Sequence, residues 1–350
     1  MPPSLYDSYQ VPSGRNATRV ALSNKHAFTV DGSVEVINPN VYIDYATQVD
    51  QPFYSVSLSF SSVAGGGTDV NVQGTTAYVA AAGLEIYNVS NPASPLLLGS
   101  VSSASGGYMQ VVGSMAYMAS GGSGLQIFDV SNTSSPALAG SYPAGNPQDV
   151  VLNGDHALIA DGANGLRVVD VSTPSSPVME TLYSTPSYCC GVKLVGTLLY
   201  LFESSDMQIL DVTDPTHPLL KGTWHEMTGT VRGGDVVGNY AFVADNGLVV
   251  LDVSNPLNPV EKAAAIPLNG SYNPVRVKVV GSFAYASVGT GGDGGLQVYD
   301  VTNPLEPVFK GYCYDSSSTA SGGLDFAGST LLLACDDHLK VVTIGYTNVP

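Results

Sequence analysis

The chain has 350 residues, with only 12 Lys or Arg against 29 Asp or Glu, a net charge of −17 at neutral pH. Clustered basic residues drive nucleic-acid binding and attraction to anionic lipid, so this balance argues against both kinds of partner. With 12% charged and 44% hydrophobic residues, it reads as a well-buried chain whose surface is built from Ser, Thr, Asn and Gly.

No window holds 18 uninterrupted apolar residues, so no membrane insertion is expected. The opening residues, MPPSLYDSYQ, carry neither a basic region nor an apolar run, and no signal peptide is visible in this chain. Cys189, Cys190, Cys313 and Cys335 read as small buried hydrophobes, with a Cys313–Cys335 bridge as the alternative.

In chain order, the first element is an orphan. Leu5 to Val20, LYDSYQVPSGRNATRV, resembles Leu138 to Val151, LAGSYPAGNPQDVV, where one strand leads into the start of the next unit. A set of three strands then starts near Arg19 and ends in GSVEVINP. After a long stretch from Asn40 to Thr68, further sets start near Asp69, Met109, Asp149, Gly191, Asp235, Val275 and Leu324, making eight. The unit is clearest as QDVVLNGDHALIADGANGLRVVDVSTPSSPVMETLY. It contains four short runs of β-branched and aromatic residues separated by Gly, Asn and Pro, which predicts four strands, A to D. No segment sustains a helical period.

Each third strand ends in the same phrase, with its Asp or Asn at Asn38, Asn88, Asp129, Asp170, Asp211, Asp252 and Asp300. The four intervals from Asn88 to Asp252 are 41 residues each. Four-stranded units of about 40 residues, apolar on both faces, are the signature of a β-propeller. The phrases GLRVVDVSTPSSP, GLVVLDVSNPLNP and GLQVYDVTNPLEP resemble the LVIVD repeat, over roughly residues 19 to 346. That resemblance implies a propeller and is nearly silent about function. The expectation is therefore all-β: a single eight-bladed domain over residues 1–350. Residues 4–12 would close the ring as outer strand of the last blade, because nothing follows the eighth set to supply one.

The repeated phrase reads as punctuation. Its Asp accepts hydrogen bonds from nearby N–H groups, and the prolines behind it stop the strand. Function would sit instead on the top face, where the D–A and B–C loops vary in length. The best polar and aromatic constellation there is Trp224, His225 and Glu226 with Arg232, joined by Tyr272 and Asp293 on two enlarged loops. These are the candidate partner-binding residues. DGANG (Asp161–Gly165) and GTGGDGG (Gly289–Gly295) lack the carboxylate spacing of a calcium loop, and CDDH (Cys335–His338) lacks a partner set. No metal, cofactor or catalytic residue is assigned.

The favoured expectation is a non-catalytic recognition or structural module. It would bind a protein or glycan on an extracellular surface, with a virion or tail component as a specific version within a larger assembly. The alternative is a hydrolase or lyase at the channel mouth, using carboxylates such as Asp69 or Asp149.

Overall fold

The computed structural model describes residues 67–91, 94–103, 106–225, 230–265, 274–289, 294–315, 321–335 and 339–342, and the strand backbones at 21–23, 26–30 and 34–36. Within these spans the four runs of each unit become four antiparallel strands. Blade 1 consists of Asp69–Gln73, Thr76–Ala81, Gly83–Asn88 and Leu96–Ser102, hydrogen-bonded in that order from channel to rim. Five more four-stranded blades follow, with inner strands Tyr108–Val112, Asp149–Asn153, Cys189–Val195, Gly233–Val237 and Pro274–Val280. Blade 7 shows three strands among the described residues: Ser321–Ala327, Thr330–Cys335 and Leu339–Val342.

Each A–B hairpin turns on a glycine. Gly74, Gly154 and Gly328, for example, have φ near +60°, which a two-residue hairpin loop demands and a side chain resists.

The core lies between blades. Seven buried clusters occupy the seven interfaces between neighbours. The one that decides the count joins blade 7 (Leu332, Ala334, Leu339) to blade 1 (Val70, Val79, Tyr87). Backbone bonds cross the same seam: Gly67 N–H donates to the Cys335 carbonyl at 2.7 Å and Gly323 N–H to that of Thr68 at 2.9 Å. The ring therefore has seven blades, not the eight expected. Ala21–Ser23, His26–Val30 and Val34–Val36 do form an antiparallel three-stranded sheet, as their local pattern suggests. That sheet belongs to a separate compact unit, Met1–Phe53 with Asn348–Pro350, whereas the blades belong to Tyr54–Thr347. The closing strand expected at residues 4–12 lies outside the described residues.

Candidate functional site

The repeated phrase does act as punctuation. The side-chain oxygen two residues before each turn N–H accepts from it: Asp129 from Ser131 at 2.9 Å, Asp170 from Ser172 at 2.8 Å and Asp252 from Ser254 at 3.0 Å. The turns also pack on the preceding blade. A one-residue bulge in the outer strand brings Gly99, Gly140 and Gly222 under the next blade's turn, where a Cβ on Gly140 would stand 1.9 Å from the Pro174 carbonyl. In blade 3 the equivalent Thr181 donates its hydroxyl to the Thr216 carbonyl at 2.6 Å. These bonds use the face formed by the A–B and C–D turns for assembly of the ring.

The opposite face is built differently. In blades 3, 4 and 5 the second strand is followed by, or ends in, a buried acid: Asp161, Glu203 and Asp245. Each anchors the incoming D–A loop through backbone N–H groups. Asp161 accepts from Asn146 at 2.6 Å, Glu203 from Ser187 at 3.1 Å and Asp245 from Thr230 at 2.7 Å. Arg167 completes the Asp161 site at 2.6 Å. Loops fixed through their own backbone are preorganised.

On blade 4 this scaffold presents a polar group. His225 Nδ1 stands 2.5 Å from Asp206 Oδ1, with the imidazole side chain 73% exposed and the carboxylate buried. Ser205 and Ser187 hydroxyls approach the other Asp206 oxygen at 3.0 and 3.4 Å. Beneath them Glu203 is fully buried and pushed up to about 7, first by burial and then by the Asp206 charge. Burial also pushes the Cys189 thiol up to about 12, so it is not a ready nucleophile.

The sequence-derived residues separate here. His225 is exposed, as expected. Trp224 is not a surface platform: it pairs with Met207 in the outer strand Leu219–His225 and packs against Val231 and Phe202 in the blade 4–5 interface. Strand alternation turns the indole inward and the imidazole outward. Arg232 is half-buried, next to the first glycine of the blade 5 inner strand. Glu226, Tyr272 and Asp293 lie outside the described residues, as does the Asp336–His338 part of CDDH. Among the described residues no group of three His, Cys, Asp or Glu has metal-ligand geometry.

A second constellation, hardly legible in the sequence, lines the central channel in two tiers. Strand registry places Asp69, Tyr108, Asp149, Gly191, Gly233 and Arg276 at one level. Two residues further along each strand, Asn71, Lys193, Asp235 and Lys278 share the next level. The carboxylates tie adjacent inner strands together, satisfying N–H groups that the innermost edge would otherwise leave bare. Asp69 accepts from Met109 N–H at 2.8 Å, Asp149 from Val192 at 3.1 Å, Asp235 from Val279 at 2.9 Å and Asp325 from Val72 at 2.7 Å. Lys193 pairs with Asp235 at 2.6 Å, and Lys278 pairs with Asp325.

Arg276 reaches across the upper tier to Asp149 at 3.3 Å, its guanidinium 3.6 Å from the centre of the Tyr108 ring. Gly191 and Gly233 make the crossing possible, since a Cβ on either would stand 2.6 Å from Arg276 Nη1. Asp69 forms no ion pair among the described residues, and burial, outweighing its hydrogen bonds and the nearby Arg276 charge, pushes its carboxyl up to about 7.

The LVIVD repeat model matches residues 64–103, 105–143, 144–185, 187–225, 228–265 and 274–315, which are blades 1 to 6 in turn. The chain belongs to the LVIVD repeat family. No curated protein sequence matches this LVIVD-repeat protein. Among solved structures it resembles the β-propeller domain of Cps50 (Swd1) from Myceliophteria thermophila at TM-score 0.67 and 11% identity, covering 83% of this chain and 100% of that one. It also resembles a putative 6-phosphogluconolactonase from Bacteroides fragilis at TM-score 0.64 and 13% identity, covering 77% and 86%. At such identities the LVIVD-repeat protein shares the fold of these structures, and the likeness extends no further.

Proposed function

We propose that the protein is a non-catalytic recognition module that binds a protein or glycan partner through the top-face loops of blades 3 to 5. The observation that carries this reading is the run of three buried acids, Asp161, Glu203 and Asp245, that fix those loops through backbone N–H groups on the face where His225 of blade 4 is exposed. A rigid surface with an oriented imidazole, and with Tyr188 37% exposed on the neighbouring D–A loop, its hydroxyl accepting from Asn146 at 2.8 Å, loses little entropy on binding. The carboxylates that an enzyme at the channel mouth would use are already engaged, Asp149 by Arg276 and both Asp69 and Asp149 by backbone N–H groups. That supports binding over turnover.

A structural role within an extracellular or virion-type assembly draws support from a second feature. The outer strands expose apolar pairs at equivalent positions, Leu96 with Leu97, Val178 with Met179 and Leu219 with Leu220, around the rim. Repeated exposed apolar positions of this kind suit lateral contacts with neighbouring subunits.

The test compares two double variants on a glycan array and on intact particles or cells of the source. His225→Ala with Tyr188→Ala removes the proposed face, and Leu257→Ala with Leu305→Ala alters the opposite one. The first is expected to weaken binding about 10-fold or more, the scale of losing an interface hot spot, and the second to leave it unchanged. The reverse pattern overturns the reading.

A further inference from the structure

The outer strands of blades 1 to 6 each carry a one-residue bulge, and the residue it adds lies at the same place every time: Leu98, Ala139, Glu180, Lys221, Lys262 and Lys310 in turn. In blades 4, 5 and 6 this residue is a lysine folded back onto the Asp that ends the third strand. Lys221 lies 2.9 Å from Asp211, Lys262 3.6 Å from Asp252 and Lys310 3.4 Å from Asp300. In blade 3 it is Glu180, held by His156 at 2.9 Å. A further strand added to any of these four edges must desolvate an ion pair, a cost that guards an edge against pairing. Blade 2 keeps the acid, Asp129, but has Ala139 at the bulge. Blade 1 has neither charge: Asn88 ends its third strand and Leu98 fills the bulge. Its outer strand Leu96–Ser102, LLLGSVS, is uncharged along its whole length. Leu98 and Val101 pack inward on the core between blades 1 and 2, while Leu96 and Leu97 stay 63% and 50% exposed. Glu85, opposite Ser100 in the third strand, is engaged by the Tyr87 hydroxyl at 2.5 Å.

We propose that the outer edge of blade 1 is a self-association surface, where Leu96–Ser102 pairs antiparallel with the same strand of a second copy and joins two blades into one eight-stranded sheet. Two observations select this occupant. Antiparallel pairing of a strand with itself is two-fold symmetric, so one unguarded edge supplies both halves of the interface. Molecules that each carry a net charge of −17 also repel, so two copies meet at least cost where neither presents a charge. A basic partner would be drawn to the acidic remainder of the surface rather than to this neutral strand. Such pairing rests on the lateral-contact reading of the rim and is independent of recognition through the top-face loops.

Sedimentation equilibrium of the purified full chain, at concentrations up to about 500 μM, tests this. One pair of strands lies at the low end of specific interface size, so a dimer with Kd of about 100 μM or tighter is expected. Raising the salt from about 20 mM to about 500 mM should tighten it, because screening removes the repulsion between like-charged bodies. Leu97→Lys should weaken the dimer by about 10-fold or more while circular dichroism shows an unchanged β fold. Leu220→Lys, at the equivalent place in blade 4, should leave it unchanged. Should Leu97→Lys fail to fold, Ser100→Lys is the second probe, at an exposed polar position of the same strand. Amide hydrogen exchange in Leu96–Ser102 should slow as concentration rises, with Leu219–His225 unaffected. A monomer throughout this range, a dimer weakened by added salt, or a dimer indifferent to lysine in blade 1 would each overturn the proposal. A dimer lost with Leu220→Lys and kept with Leu97→Lys would overturn the blade 1 assignment while leaving the lateral-contact reading in place.

Discussion

Asp69 shows how a single side chain is set by the ring around it. Its oxygens accept from Val70 and Met109 N–H groups, and Gly323 leaves the space for it, since a Cβ there would stand 1.5 Å from Oδ1. In the folded state its pKa rises from 3.8 to about 7, so the native protein keeps a proton that the unfolded chain releases above pH 3.8. Stability from this group is therefore greatest in acid and is lost as pH rises through 7. Asp69→Asn removes the titration and one hydrogen bond. Wild type should be the more stable at pH 5, with the gap shrinking by pH 8, measured by urea unfolding at each pH; a gap that widens with pH would contradict the assignment. Single residues were also where sequence reasoning was weakest. Trp224 and His225 are neighbours in a polar-looking stretch, GTWHEM, and only the strand period of two separates the buried one from the exposed one. Asp69, Asp149 and Arg276 sit in different blades, so no motif spacing joins them. The available signal was a charged residue recurring in the inner strands, where apolar residues would suffice if only blade packing were served.

At the scale of elements, the repeat is legible because every unit solves the same local problems with the same residues. The hairpin glycine, the Asp that accepts from the N–H two residues on, and the proline that stops the strand each act on residues within a few positions of themselves. The bulge glycine of the outer strand was missed, because its reason lies in the adjacent blade. Gly140→Ala puts a methyl group 1.9 Å from the Pro174 carbonyl and must push blades 2 and 3 apart at the rim. An overpacking cost of about 1–3 kcal/mol is expected, read as a lower midpoint in chemical unfolding. Ala263 occupies the same register in blade 5, and Ala263→Gly there should cost about 1 kcal/mol or less.

At the scale of the whole molecule, the number of blades was misread for a physical reason. Ala21–Val36 has the local pattern of a blade and forms the matching three strands, so counting patterns gives eight. Closure is decided by contacts more than 200 residues apart, Gly323 to Thr68 and Asp325 to Val72, which no local pattern reports. The same geometry divides the molecule into a face of stereotyped turns and a face of anchored variable loops, and the proposed function depends on that division. Two histidines mark the two faces: His225 on the top, side chain 73% exposed, and His217 in a C–D turn, side chain 79% exposed. Histidine modification by diethyl pyrocarbonate, read by mass spectrometry with and without the bound partner or native assembly, compares them directly. Recognition through the top face predicts that His225 becomes protected while His217 stays reactive. Protection of His217 with His225 still fully reactive would contradict it.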